Sequence, residues 1–228
     1  MGPSYAPRVK ICCISSVEEA ALAVACGASA LGLVSAMPSG PGVIREEQIA
    51  EIAATVPPPI ATFLLTSKQE VAEIVEQQRH CRTNCIQLCD CLTSGAHADL
   101  RRALPGIKIV QVIHVTGPGS VDEALAVAPS VDAILLDSGN PALPVKELGG
   151  TGRSHDWSLS RRIREQVSIP IFLAGGLNAG NVGQAMKAVA PFGLDLCSGV
   201  RTDGKLDRQK LLAFFDAVHL AESELTAL

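Results

Sequence analysis

A single-domain (β/α)8 TIM barrel, an α/β fold spanning residues 1–228, is predicted by three features of the sequence. Eight short apolar runs rich in β-branched residues recur along its 228 residues. Each is followed by a stretch with helical spacing. The runs are apolar throughout rather than alternating, as in parallel strands covered on both faces. Eight such units at this length suit a closed barrel, whose usual size is about 250 residues. An open doubly wound sheet is the competing arrangement. The first run, however, lacks the Gly-x-Gly-x-x-Gly of a dinucleotide fold. No linker or shift of composition divides the chain.

The first strand is predicted over 9–14, and a helix follows over 16–26, where Ser16 with Glu18 and Glu19 suits an N-terminus. Strand 30–34 leads to helix 45–56, with Ile49, Ile52 and Ala53 on one face. Strand 60–65 leads to helix 67–78, where Ser67 and Glu70 read as a capping box. The remaining strands are predicted at 85–88, 108–115, 133–137, 171–174 and 194–198. Their helices are predicted at 97–104, 120–127, 158–167, 181–189 and 207–222.

Hydrophobic residues make up 47% of the chain and charged ones 18%, a balance that builds a core and excludes intrinsic disorder. The net charge is -4 and no Lys/Arg run tracks a phosphate backbone, so no nucleic-acid partner is expected. No apolar run is long enough to span a membrane, and residues 1–7 lack the pattern of a signal peptide. A cytoplasmic protein is therefore expected. Cys12, Cys13, Cys26 and Cys197 lie in or beside apolar segments, where cysteine acts as a small hydrophobe. Cys81, Cys85, Cys89 and Cys91 cluster near His80 and His97, but their spacing matches neither paired C-x2-C nor an iron–sulfur run. Unpaired thiols in a reducing compartment, with no metal, are the expectation.

In such a barrel, chemistry belongs at the C-terminal ends of the strands. Three glycine clusters fall after strands six, seven and eight: Gly149-Gly150-Thr151-Gly152, Gly175-Gly176 and Ser198-Gly199-Val200. Glycine lets backbone N–H groups approach an anion, and a short helix starting at Ser198 would favour phosphate. Asp137 closes an apolar strand at the open mouth, where a carboxyl group suits a general acid. Cys12 ends the first strand with Lys10 two residues below it on the same face. A thiol needs such a positive neighbour to serve as a base. Lys10 inside a barrel in turn requires a carboxylate partner.

Together, Lys10-Ile11-Cys12, Leu135-Leu136-Asp137-Ser138, Gly149-Gly150-Thr151-Gly152 with Asp156-Trp157, Leu173-Ala174-Gly175-Gly176-Leu177 and Ser198-Gly199-Val200 resemble phosphoribosylanthranilate isomerase. The resemblance runs through essentially the whole chain. It implies a (β/α)8 barrel of tryptophan biosynthesis that works without metal or cofactor. The implied reaction is the Amadori rearrangement of a phosphoribosyl amine to a 1-amino-1-deoxyribulose phosphate. Carried over, Asp137 is the general acid that protonates the ring oxygen, and Cys12 is the base that removes the C2′ proton. Lys10, Gly149, Gly150, Thr151, Gly152, Gly175, Gly176, Ser198, Gly199, Val200 and Arg201 are the implied substrate-binding residues. The implied partner is a small phosphorylated sugar-amine substrate.

The departures cluster at the other end of the site. Typical members carry glycine where Cys13 stands, and an arginine for the anthranilate carboxylate at the position of Gly42. An asparagine is usual after strand three, where this chain reads Leu65-Thr66-Ser67. A histidine is usual at Cys89, and glutamate is frequent at Arg201. Arg153, Arg201 and His114 are the replacement polar groups near the mouth. A paralogous isomerase for a different amine, or a non-catalytic phosphate-metabolite binder, are the alternatives. An indole-glycerol-phosphate lyase lacks support, because no suitably placed carboxylate pair is present. On oligomeric state the sequence offers only Phe214 and Phe215 on the last helix, so a homodimer stays open.

Overall fold

The structure, a computed structural model, describes residues 7–226. Eight parallel strands close on themselves in chain order: β1 (Arg8–Ile11), β2 (Ala30–Val34), β3 (Ala61–Thr66), β4 (Cys85–Leu88), β5 (Lys108–His114), β6 (Ala133–Asp137), β7 (Ile171–Leu173) and β8 (Gly193–Leu196). The ring is sealed where Lys10 of β1 lies beside both Ala30 of β2 and Asp195 of β8. Around it run α1 (Val17–Ala25), α2 (Glu46–Thr55), α3 (Val71–Cys81), α4 (His97–Ala103), α5 (Gly119–Val127), α6 (Trp157–Gln166), α7 (Val182–Val189) and α8 (Arg208–Thr226). Among the described residues no helix is long and apolar enough to cross a membrane.

Period-two geometry sorts each strand into two cores. Outward residues such as Ile11, Leu31, Leu33, Leu64, Ile86 and Ile134 are fully buried against helix residues including Ile49, Ile52, Ile74 and Phe214. Inward residues Phe63, Val110, Val112, Leu135 and Phe172 fill the barrel. Each such side chain contributes about 1.5–3 kcal/mol by leaving water. Most strands are therefore apolar on both faces; β1 and β8 alternate, turning Lys10 and Asp195 inward.

Several boundaries differ from expectation for local reasons. Strand β1 stops at Ile11 rather than residue 14, because Cys13 adopts a left-handed backbone (φ 62) that breaks the ladder. Helix α3 begins at Val71, so Ser67 and Glu70 form no capping box; the Ser67 hydroxyl instead donates to the Ala36 carbonyl at 2.8 Å. Helix α1 does have its cap, with Glu19 N–H donating to Ser16 Oγ at 3.2 Å. Between β8 and α8 the chain adds a hairpin, β9 (Arg201–Thr202) and β10 (Lys205–Leu206). The helix expected from Ser198 is one 3-10 turn, Ser198–Val200, too short for a macrodipole.

The four central cysteines part company. Cys81 is buried at the end of α3, Cys85 and Cys89 belong to the barrel interior, and Cys91 is exposed. Burial pushes the Cys81 and Cys85 thiols up to about 12. No group of three or more His, Cys, Asp or Glu among the described residues is arranged to hold a metal.

Candidate active site

The strand ends frame a cleft of about 690 Å3, its open mouth included, lined by both Cys12 and Asp137. Cys12 follows β1 and Asp137 ends β6, so the two approach the cleft from well-separated staves of the barrel. Cys12 stays hydrogen-bonded to β8 through its N–H, which donates to Leu196 O at 2.8 Å. Its sulfur leans toward β2. A Cβ added at Gly32 would meet Cys12 Sγ at 2.8 Å and Lys10 Nζ at 3.1 Å, so glycine makes room for both.

Lys10 is completely buried beneath the cleft, with Nζ 2.9 Å from Asp195 Oδ2 and 5.2 Å from the centre of the Phe63 ring. The Asp195 contact is one of charge, not an aligned hydrogen bond, and Asp195 Oδ1 takes no partner among the described residues. Burial works against the ammonium, but Asp195 and then Cys12 outweigh it and raise Lys10 above its ordinary value. Burial also lifts the Asp195 carboxyl, against the pull of Lys10. The partner that Lys10 requires is thus Asp195. Its signal was a lone carboxylate in the apolar run Leu194-Asp195-Leu196.

Asp137 is held at one oxygen only. Ser138 N–H donates to Oδ1 at 2.7 Å, while Oδ2 takes no hydrogen bond from the described residues. That second oxygen lies against residue 149, where a Cβ would stand 2.7 Å from it. Ser138 Oγ in turn is 2.7 Å from Thr151 Oγ1, tying the acid to the next loop.

The glycines divide into two groups. Gly152 lies against Ser198, Gly175 and Gly176 pack on the Gly152–Ser154 backbone, and all four residues line the cleft. At Gly176 (φ 63) a Cβ would come within 2.9 Å of the backbone of Gly152, Arg153 and Ser154, and at Gly199 within 2.1 Å of Leu177 O. Loops six, seven and eight therefore interlock as only glycine permits. Gly149 and Gly150 lie at the other side, against Asp137 and Pro41. There the loop after β2 roofs the cleft, with Ser39 Oγ donating to Lys146 O at 2.7 Å.

Several expected residues lie off the cleft. Gly199 and the buried Val200 support the 3-10 turn without lining the space, and Lys10 lies below it. Arg201 is engaged elsewhere: it pairs with Glu19 at 2.9 Å and donates to the carbonyls of Cys13 at 2.5 Å and Cys12 at 3.3 Å. Arg153 pairs with Glu147 on the exposed rim. His114 is buried with Nε2 3.0 Å from Cys89 O, and its Nδ1 abuts Gly139. No Lys, Arg or His lines the cleft among the described residues, and the end away from Ser198 is walled by Val34, Met37 and Leu65.

Cys13 explains the missing arginine. A Cβ at Gly42 (φ +80) would meet Cys13 Cβ at 2.4 Å, so no side chain fits at 42 while 13 carries one. Sequence reasoning passed over Gln87 and Cys197, which line the cleft together with Cys89. Cys89 is fully enclosed, and burial pushes its thiol up. Inward positions on β4 and after β8 were readable from the period of two once the neighbouring strands were placed.

A model of the family described as N-(5'phosphoribosyl)anthranilate (PRA) isomerase matches residues 9–217. N-(5'-phosphoribosyl)anthranilate isomerase 2 of Methanosarcina mazei is 36% identical over 219 residues, 95% of each chain. A phosphoribosyl anthranilate isomerase solved in complex with reduced 1-(o-carboxyphenylamino)-1-deoxyribulose 5-phosphate has a TM-score of 0.74 at 27% identity, covering 93% of this chain and 98% of that one. Monomers of the dimeric phosphoribosylanthranilate isomerase of Thermotoga maritima have a TM-score of 0.75 at 26% identity, with the same coverage.

Proposed function

The chain belongs to the N-(5'-phosphoribosyl)anthranilate isomerase family, and from that premise we propose that Asp137 and Cys12 are the acid and base of its aldose–ketose isomerisation. The substrate is N-(5-phosphoribosyl)anthranilate, an intermediate of tryptophan biosynthesis. Its phosphate occupies the end of the cleft formed by Gly152, Gly175, Gly176 and Ser198, and its aryl ring the end walled by Val34, Met37 and Leu65.

Asp137, through the oxygen left free of Ser138, gives a proton to the furanose ring oxygen. The C1′–O bond opens and the nitrogen lone pair forms a Schiff base. Cys12 then takes the proton from C2′, leaving an enolamine that tautomerises to the ketone. Proton donation and removal occur at different atoms, so two groups on separate strands are required. Lys10 places a positive charge next to the sulfur that receives the proton, and Asp195 holds that charge in a buried site. Phosphate binding fixes the sugar between acid and base, an acceleration by positioning.

The observation that carries this reading is the opening of Cys12 and Asp137 onto one cleft with an interlocked glycine wall. Steady-state turnover of N-(5-phosphoribosyl)anthranilate tests it. Asp137→Asn and Cys12→Ser are each expected to lower kcat by about 10^2–10^4-fold, in a folded protein. Unchanged turnover in either variant would falsify the assignment, and no turnover by the folded wild-type chain would favour a phosphate-metabolite binding protein.

The cation-free ring end favours one second reading, an isomerase for a phosphoribosyl amine without a carboxylate. A higher kcat/KM for the uncharged aryl amine than for the anthranilate compound would select it. By analogy with the dimeric Thermotoga maritima relative, we also propose a homodimer, which sedimentation will test. A reducing cytoplasm suits the eight free thiols.

A further inference from the structure

Two thiols in the cleft, Cys13 and Cys197, take no part in the proposed reaction. The β1–β8 ladder pairs Ile11 with Leu196, so the chain leaves it with Cys12 and Cys197 side by side and Cys13 next. The left-handed backbone at Cys13 (φ 62) turns its side chain out of the strand pattern. Its thiol lies close to both Cys12 and Cys197 and donates to the Pro41 carbonyl at 3.6 Å, and Cys197 packs on the same cluster as Cys12 and Cys13. The Cys12 sulfur also packs over Gly32 of β2.

We propose that Cys197 and Cys13 form an oxidative modification site, where a hydroperoxide creates a disulfide that reversibly disables the cleft. Cys197 is half-buried and opens onto the cleft, so a small oxidant reaches it. Hydrogen bonding from Cys13 and the nearby Arg201 guanidinium lower the Cys197 thiol from its ordinary value. The Cys197 thiolate attacks one peroxide oxygen: an S–O bond forms, the O–O bond breaks, and water leaves after protonation. The sulfur is then a sulfenic acid. Cys13 attacks that sulfur, an S–S bond forms, the S–O bond breaks, and the Cys13 proton leaves with the hydroxyl as a second water. Two thiols lose two electrons in all, and hydrogen peroxide is reduced to water.

Each rival pair carries its own cost. Adjacent Cα atoms are about 3.8 Å apart, shorter than the roughly 4.4–6.8 Å usual for a disulfide, which disfavours Cys12–Cys13. Cys12–Cys197 needs the Cys12 sulfur to leave Gly32 and Lys10. Linking Cys13 to Cys197 pulls Cys13 off Gly42 and Pro41 and moves the catalytic thiol beside it.

The full chain is titrated with hydrogen peroxide, and mass, tryptic map and turnover are followed. The expected product is lighter by two hydrogens and joins peptides 11–45 and 188–201 through Cys13 and Cys197. Turnover should fall by about tenfold or more in step with the link, and return with dithiothreitol. Cys13→Gly should form no link and leave a Cys197 sulfenic acid that dimedone captures. The proposal is overturned if the link persists in Cys13→Gly, since Cys12 is then the partner. It is equally overturned if Cys13 and Cys197 stay reduced at a dose that oxidises the exposed Cys91, or if lost turnover tracks oxygen addition at Cys12 alone. The link is read independently of activity, so its failure is distinct from failure of the assigned reaction.

Discussion

Cys13 stands in the space that any side chain at residue 42 would need, its Cβ lying 2.4 Å from where a Cβ on Gly42 would be. The two positions are therefore one steric unit, although they belong to different strand-end loops. Gly42→Ala should destabilise the protein by about 1–3 kcal/mol through overpacking. In a Cys13→Gly background the same substitution should cost less, leaving the strain at φ +80 and the 2.9 Å approach to the Cα of residue 13. Urea unfolding of the double-mutant cycle measures the coupling. Additivity to within about 0.5 kcal/mol would show the positions to be independent.

The Lys10–Asp195 pair is buried on both sides, so removing one partner strands the other. Lys10→Met should lower stability by about 3–5 kcal/mol, and replacing both residues by apolar ones should recover much of it. Denaturant midpoints report the stability. Turnover should stay low even in the refolded double variant, because no positive charge remains beside Cys12. Wild-type turnover there would remove Lys10 from the mechanism.

Acid stability should depend on Glu19. Burial opposes its ionisation, but hydrogen bonds from Arg201, Leu206 N–H and Ser15 N–H hold its carboxyl below the ordinary 4.5. A depressed folded value means that its contribution is present above pH 4.5 and is lost as pH falls through the lower folded value. Glu19→Gln should therefore be less stable than the parent at neutral pH, with the gap narrowing in acid. Parallel melting curves across pH test this; a gap that widens in acid would refute it.

The interlocked glycines should set substrate affinity more than chemistry. Gly176→Ala forces three backbone atoms at 2.9 Å to give way, on a residue with φ 63. KM should rise about tenfold or more with a smaller change in kcat, and inorganic phosphate should weaken as a competitive inhibitor. A fall in kcat alone would move the phosphate elsewhere.

The barrel was legible because its strands are uninterrupted apolar runs. Ala30–Val34, Cys85–Leu88 and Ala133–Asp137 emerged with the predicted bounds. Where handedness rather than polarity ends a strand, as at Cys13, sequence gave no warning. The mouth of the barrel was harder to read, since its partners are remote in the chain. Arg201 looked like a free cation near the substrate, yet it is claimed by Glu19, 182 residues away. Gly149 and Gly150 look identical in sequence to the other loop glycines, yet they line the cleft against Asp137 and Pro41 rather than beside Ser198. The demand of Lys10 for a carboxylate was readable; the strand that answers it became clear only when β8 closed on β1.

The charged pair at Lys10, with Phe63 and the edge-on Phe172 below it, plugs the barrel along its axis. The reaction chamber is thus a one-ended vessel. Substrate, ketone product and exchanging protons share a single doorway beneath the Ser39–Lys146 contact. Product must clear before the next sugar enters, so inhibition by product should be competitive and grow as it accumulates.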